Sequence, residues 1–233
     1  TSSRSIIMSP EFKPFSPRKR KASMENGYVK QLVKASAFLL TLIAIWPAQA
    51  KDPVVLTFGD SLTAGYGLPR ADGFVAQLQA ALKQSGKAVR VKNGSVSGDT
   101  TSSGRARLAW ILNEAVDLVI VELGANDALL GIPPRVTRKN LGAILVELKR
   151  RKIPVLLAGM LAPPNWGPNY SQAFNSIYPD LAKLHGAKLY PFFLDGVAAK
   201  SHLNQSDGIH PNATGVRVIV DALTPYVIDL LDR

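Results

Sequence analysis

The chain has 233 residues, 46% hydrophobic and 19% charged, a balance that fits one globular domain with a sizeable core and excludes a disordered chain. Its net charge is +11, but residues 1–50 carry eight Lys/Arg against two Asp/Glu. The rest shows no basic stripe of the kind a nucleic-acid partner needs, and the absence of cysteine excludes disulfides, thiolate catalysis and Cys-ligated metals.

Residues 1–23 read as an N-terminal extension with the basic run Arg18-Lys19-Arg20-Lys21 and no folded role expected. Residues 24–50 have the layout of a secretory signal peptide: Lys30 and Lys34, then an apolar run over 35–46, then Ala48-Gln49-Ala50 as a cleavage site. The apolar run is shorter than the ~20 residues of a membrane span. The expectation is a secreted or periplasmic chain beginning at Lys51, with no stable span after cleavage.

Beyond Lys51 strands and helices alternate. The run VVLTF (54–58) is a strand, and 73–84 is a helix with Phe74, Leu78, Ala81 and Leu82 at helical spacing and Gly86 beyond its end. A strand over 88–93 and a helix over 101–112 follow. Residues 116–124 are nearly all apolar and read as a strand buried on both faces. The spacing of Leu141, Ile144, Leu145 and Leu148 predicts an amphipathic helix over 134–151. A strand over 154–160, a helix over 171–185 and a strand over 187–193 come next, then a final helix over 212–231 interrupted near Pro225. This order predicts a single three-layer α/β/α domain over 51–233, with a doubly wound, flavodoxin-like parallel sheet of about five strands. Ligands of such folds bind beyond the carboxyl ends of the strands.

Four motifs fall at those ends. Ser61, in Gly59-Asp60-Ser61-Leu62, follows the first strand without the glycine of a G-x-S-x-G elbow. On this segment alone a nucleophile and a helix N-cap are both open. Of the three histidines, His185 ends a helical stretch and His202 lies in a polar loop with no marked partner. His210 stands three residues after Asp207, a spacing that lets the carboxylate reach the imidazole, although Asp, Gly, Pro and Asn here also suit an ordinary turn. Gly98 and Asn126 follow two further strands and offer a backbone N–H and a side-chain amide to an oxyanion, or serve as turn residues.

These blocks carry a resemblance. GDSL with Ser61, SGDT with Gly98, GAND with Asn126 and DGIHPN with Asp207 and His210 resemble, in order and spacing over 53–231, the GDSL or SGNH hydrolase family. The chain looks most like its secreted bacterial branch of arylesterases and multifunctional acyl-CoA thioesterase–lysophospholipases. Ala125 stands where relatives often have glycine. The resemblance implies a serine esterase with Ser61, His210 and Asp207 as catalytic residues. It implies an oxyanion hole of the Ser61 and Gly98 N–H groups and the Asn126 amide, and no metal or cofactor. The expected partner is a small-molecule ester of short to medium chain, or a lysolipid or thioester, and not nucleic acid. Leu130, Ile132, Pro164 and Trp166, on loops after strands, are candidates for an apolar acyl channel or for plain cover of the sheet edge. Asp60, Asp99 and Asp127 read as loop organisers. A carbohydrate O-acetylesterase and a catalytically silent binding domain are the alternative readings.

Overall fold

The computed structural model describes residues 51–233; the extension over 1–23 and the signal peptide over 24–50 lie outside the described residues. Five strands form one parallel sheet: β1 (Val54–Gly59), β2 (Arg90–Asn93), β3 (Leu118–Glu122), β4 (Val155–Ala158) and β5 (Lys188–Tyr190), in the order β2-β1-β3-β4-β5. β1 and β3 are inner strands and every residue in them is buried, which is why both read as largely apolar runs. Edge strand β2 is exposed at both ends.

Among the described residues eight α-helices flank the strands: α1 (Ser61–Ala64), α2 (Phe74–Gln84), α3 (Thr101–Ile111), α4 (Ala125–Leu129), α5 (Pro134–Arg150), α6 (Pro168–Asn175), α7 (Ile177–His185) and α8 (Ala213–Leu231). α2 packs on α8, and α5 packs on α3 and α7. Right-handed crossovers require these two groups to lie on opposite faces, because the chain runs one way from β1 to β2 and the other way from β3 onward. The reversal leaves a crevice between the carboxyl ends of β1 and β3. α5 buries Leu141, Ile144, Leu145 and Leu148, as its periodicity predicts.

Three predicted elements differ. The strand expected over 187–193 stops at Tyr190, because Pro191 has no N–H for the ladder. The helix expected over 171–185 is two helices that part at Ser176. Pro179 cannot donate to the carbonyl of Asn175, so the turns cannot run on unbroken. The final helix, expected to break near Pro225, continues through it. Its buried stripe of Val216, Ile219, Val220, Leu223 and Val227 outweighs one lost backbone bond, and the Thr224 hydroxyl donates to the Val220 carbonyl at 2.7 Å.

Ile120 is fully buried at the centre of β3, paired with Thr57 of β1 and Leu156 of β4. Ile120→Ala is expected to cost about 2–5 kcal/mol, read as a lowered midpoint of urea unfolding with an unchanged slope.

Candidate active site

β1 ends at Gly59, and Asp60 caps the short helix that follows: its Oδ1 accepts the Leu62 N–H at 3.0 Å. That cap sets Ser61 as the first residue of α1, at the crevice. Its Oγ lies 2.9 Å from His210 Nε2, across 149 residues of chain. His210 Nδ1 is 2.7 Å from Asp207 Oδ2. The other carboxylate oxygen of Asp207 accepts the N–H groups of Ile209 at 2.9 Å and His210 at 3.0 Å. Asp207 is held down to about 2, first by the His210 N–H, then by its imidazole, then by the Ile209 N–H. The D-x-x-H turn therefore presents an ionised carboxylate to the imidazole and holds the ring towards Ser61.

The loop is anchored from two sides. Asn212 accepts the N–H groups of Thr214 and Gly215, both at 3.0 Å, and so caps α8. Gln205 donates from Nε2 to the Tyr66 carbonyl at 2.8 Å and to the Pro211 carbonyl at 3.0 Å. Gln205 thus ties the histidine loop to the segment after α1. The Tyr66 ring packs on the His210 ring at 4.5 Å between centroids.

Gly98 takes a left-handed φ of +85° with open space where a Cβ would stand. Among the described residues, neither its N–H nor that of Ser61 has a backbone acceptor. Asn126, on α4 after β3, differs from the free amide expected. Its Nδ2 donates to the Asp99 carbonyl at 2.9 Å and to Asp60 Oδ2 at 3.2 Å.

The three aspartates expected to organise loops are the joints of this edge. Asp127 is fully buried and accepts the Thr101 N–H at 2.8 Å, the Thr101 hydroxyl at 2.5 Å and the Thr137 hydroxyl at 3.0 Å. Asp99 pairs with Arg107 Nε at 2.5 Å. Arg107 also donates to the carbonyls of Gly94 at 2.5 Å and Gly59 at 3.2 Å, with its guanidinium 4.5 Å above the Phe58 ring. One side chain thereby joins the ends of β1 and β2 to the Gly98 loop. Sequence reasoning missed Arg107, Gln205, Tyr66 and the buried Glu122, since none stands in a motif that names its partner.

Beside Ser61, Asn126 and His210 runs a largely apolar cleft of about 330 Å³, walled by Leu129, Met160, Leu161, Pro163, Phe192 and Leu194 among others. None of the four proposed channel residues lines it. Leu130 follows α4 and is 67% exposed. The Ile132 carbonyl accepts the Tyr170 hydroxyl at 2.8 Å. Pro164 begins an exposed 3-10 turn. Trp166 donates its indole N–H to the Ala128 carbonyl at 2.7 Å, bracing α4 while Leu129 and Pro163 face the cleft. The loops expected to form the wall do so through neighbouring residues.

A larger depression of about 770 Å³ lies along β2 and α2, with Leu68, Arg70, Phe74 and Lys92 in its wall. It brings no nucleophile and base together. His185, at the end of α7, and His202, whose carbonyl accepts Asn212 Nδ2 at 2.9 Å, take no part in the cleft. No group of three metal-ligating side chains occurs among the described residues.

The model of the GDSL-like lipase/acylhydrolase family matches residues 57–218. An arylesterase of Vibrio mimicus is 41% identical over 174 residues, covering 74% of this chain and 87% of that protein. A thioesterase 1/protease 1/lysophospholipase L1 of Escherichia coli K12 is 38% identical over 197 residues, covering 84% and 93% respectively. The crystal structure of AlinE4, an SGNH-hydrolase family esterase, superposes with a TM-score of 0.67 at 47% identity, covering 79% of this chain and 99% of that one.

Asp207 is ionised above its depressed value, so its partnership with His210 stabilises the fold above the ordinary value of 3.8 and fades as pH falls through about 2. Its carboxyl carbon, followed by NMR, is expected to titrate near 2 in the wild type. In His210→Ala the midpoint should rise only part of the way to 3.8, because the two backbone N–H bonds remain.

Proposed function

The chain belongs to the GDSL-like lipase/acylhydrolase family, and from that membership we propose a serine ester hydrolase working through an acyl-enzyme on short- to medium-chain esters. The observation that carries the reading is the unbroken series Ser61 Oγ, His210 Nε2, His210 Nδ1, Asp207 Oδ2, with links of 2.9 and 2.7 Å. A nucleophile hydrogen-bonded to a base that is itself oriented by a third group is what acyl transfer requires.

In this mechanism His210 Nε2 takes the Ser61 proton as Oγ attacks the acyl carbonyl. The ester C–O bond breaks, and the imidazolium returns that proton to the leaving alkoxide. Water then gives a proton to His210 and attacks the acyl-enzyme. Ser61 Oγ leaves, recovers a proton from His210, and the acid is released. Asp207 holds the ring and stabilises the imidazolium without itself taking the proton. The oxyanion falls to the unspent N–H groups of Ser61 and Gly98 and to Asn126 Nδ2. The longer bond of that amide, 3.2 Å to Asp60, is the one an oxyanion would compete with.

The apolar cleft of about 330 Å³ beside Ser61 supports an acyl chain over a polar sugar, which disfavours the O-acetylesterase reading. The same chemistry serves thioesters and lysophospholipids, the substrate classes in the name of the E. coli relative. Export of a chain starting at Lys51 is the part of the reading that rests on the leader sequence alone.

Residues 51–233 are expected to hydrolyse p-nitrophenyl butyrate and octanoate. Ser61→Ala should lose at least about a thousandfold in kcat, and Asn126→Ala about a hundredfold or more. Wild-type turnover by a folded Ser61→Ala protein would refute the nucleophile. Activity on acetylated glycans alone would favour the O-acetylesterase.

A further inference from the structure

Beside Ser61 lies a pair of buried carboxyl groups to which the mechanism above gives no proton. Glu122 ends β3 and is fully buried, and Asp60 beside it is fully buried too. Glu122 Oε2 accepts the Asp60 N–H at 3.3 Å and the Thr63 hydroxyl at 3.0 Å. Oε1 is buried with no hydrogen-bond partner among the described residues. A Cβ on Gly59 would stand 2.5 Å from Oε2, so only glycine lets the strand end lie on this carboxyl. Glu122 and Asp60 thus share one buried site at the strand ends.

Two ionised carboxylates on neighbouring buried residues, out of water, are not a stable arrangement. No cation neutralises Glu122: the described residues it faces are Asp60 and Thr63, with the Tyr178 hydroxyl in its field but donating to the Leu123 carbonyl at 3.0 Å. Asp60 faces His210, Asp99 and Asp127, and its oxygens already accept Leu62 N–H and Asn126 Nδ2. Arg107 is committed to Asp99 and two carbonyls. An orphaned, buried carboxyl oxygen is relieved when it carries a proton and donates it to an acceptor, and each Asp60 oxygen has a second lone pair for one.

We propose that Glu122 is a positioning residue that keeps its proton in the working enzyme and donates it to the Asp60 carboxylate, fixing the side chain that caps α1 and holds Asn126. Burial pushes both carboxyls up, Glu122 well above its ordinary value. The pair then carries one negative charge, on Asp60, where the Leu62 N–H and the Asn126 amide converge. Asp60 acts on the reaction through the position of Ser61, and Glu122 acts through Asp60.

The sign of the pH effect follows. Folding raises both acids, so the folded protein keeps protons that the unfolded chain releases, and stability falls as pH rises from the ordinary carboxylate range towards neutrality. Glu122→Gln removes one of the two acids and keeps a donor.

The inference rests on Ser61 as nucleophile only in its kinetic arm; its infrared arm stands without that assignment. At slightly alkaline pH, wild type should show the carbonyl stretch of a protonated, buried carboxylic acid, absent from Glu122→Gln. The Gln variant should retain most of kcat and show a flatter fall of urea midpoint with pH. Glu122→Leu, which has no donor, should lose at least about tenfold in kcat with KM little changed. A wild-type spectrum without that band, or a band that persists in Glu122→Gln, overturns the proposal even if Glu122→Leu does not fold. A folded Glu122→Leu protein with wild-type kcat overturns it as well. If Ser61→Ala kept full activity while the band behaved as expected, the nucleophile would be wrong and the shared proton would stand.

Discussion

The carboxyl of Asp60 is the joint on which this edge of the molecule depends. It sits at the end of inner strand β1, fully buried, and its residue holds three things at once. It caps α1 through the Leu62 N–H and accepts the Asn126 amide from the far side of the crevice, while the backbone N–H of the same residue donates to Glu122 at the end of β3. A parallel sheet alone brings the ends of β1 and β3 together; it does not say how the loops beyond them sit. A buried acceptor with several obligatory donors does, because leaving any of them unpaired costs about 1–3 kcal/mol.

The same logic repeats around the crevice. Asp127 gathers Thr101 and Thr137, fixing the start of α3 against α4 and α5. Arg107 draws the ends of β1 and β2 and the Gly98 loop onto one guanidinium. Gln205 ties the histidine loop to the segment that follows Ser61. The distance of 2.9 Å between Ser61 and His210 is thus set by several polar contacts made by other residues. The apolar core supplies the platform, and the polar joints supply the alignment.

Much of this was legible in the sequence, for identifiable reasons. β1 and β3 are buried on both faces, so their residues form apolar runs that periodicity cannot mistake for loop. Ser61, Asp207, His210 and Gly98 fall where a parallel sheet presents its strand ends, and each lies in a short block with its own turn chemistry. What stayed hidden depends on partners far away in the chain. Glu122 closes an apolar run and looks like a strand residue until the Asp60 loop folds onto it. Arg107 sits mid-helix with nothing local to mark it. Asn126 reads as a free amide because its acceptors, Asp60 and Asp99, come from two other loops. Trp166 looks like a channel wall, yet its indole N–H is spent on the Ala128 carbonyl, so its neighbours face the cleft. Pro225 looks like a break until the apolar stripe beneath α8 is seen to hold the helix through it.

The central claim is that the hydrogen bond from Ser61 to His210 makes this serine, among all those in the chain, a nucleophile. Covalent labelling tests it most directly. A fluorophosphonate probe followed by peptide mass analysis should place a single adduct on Ser61, with labelling slowed strongly in His210→Ala and in Asp207→Asn. An adduct on another residue, or labelling of Ser61 at the same rate in folded His210→Ala, would contradict it.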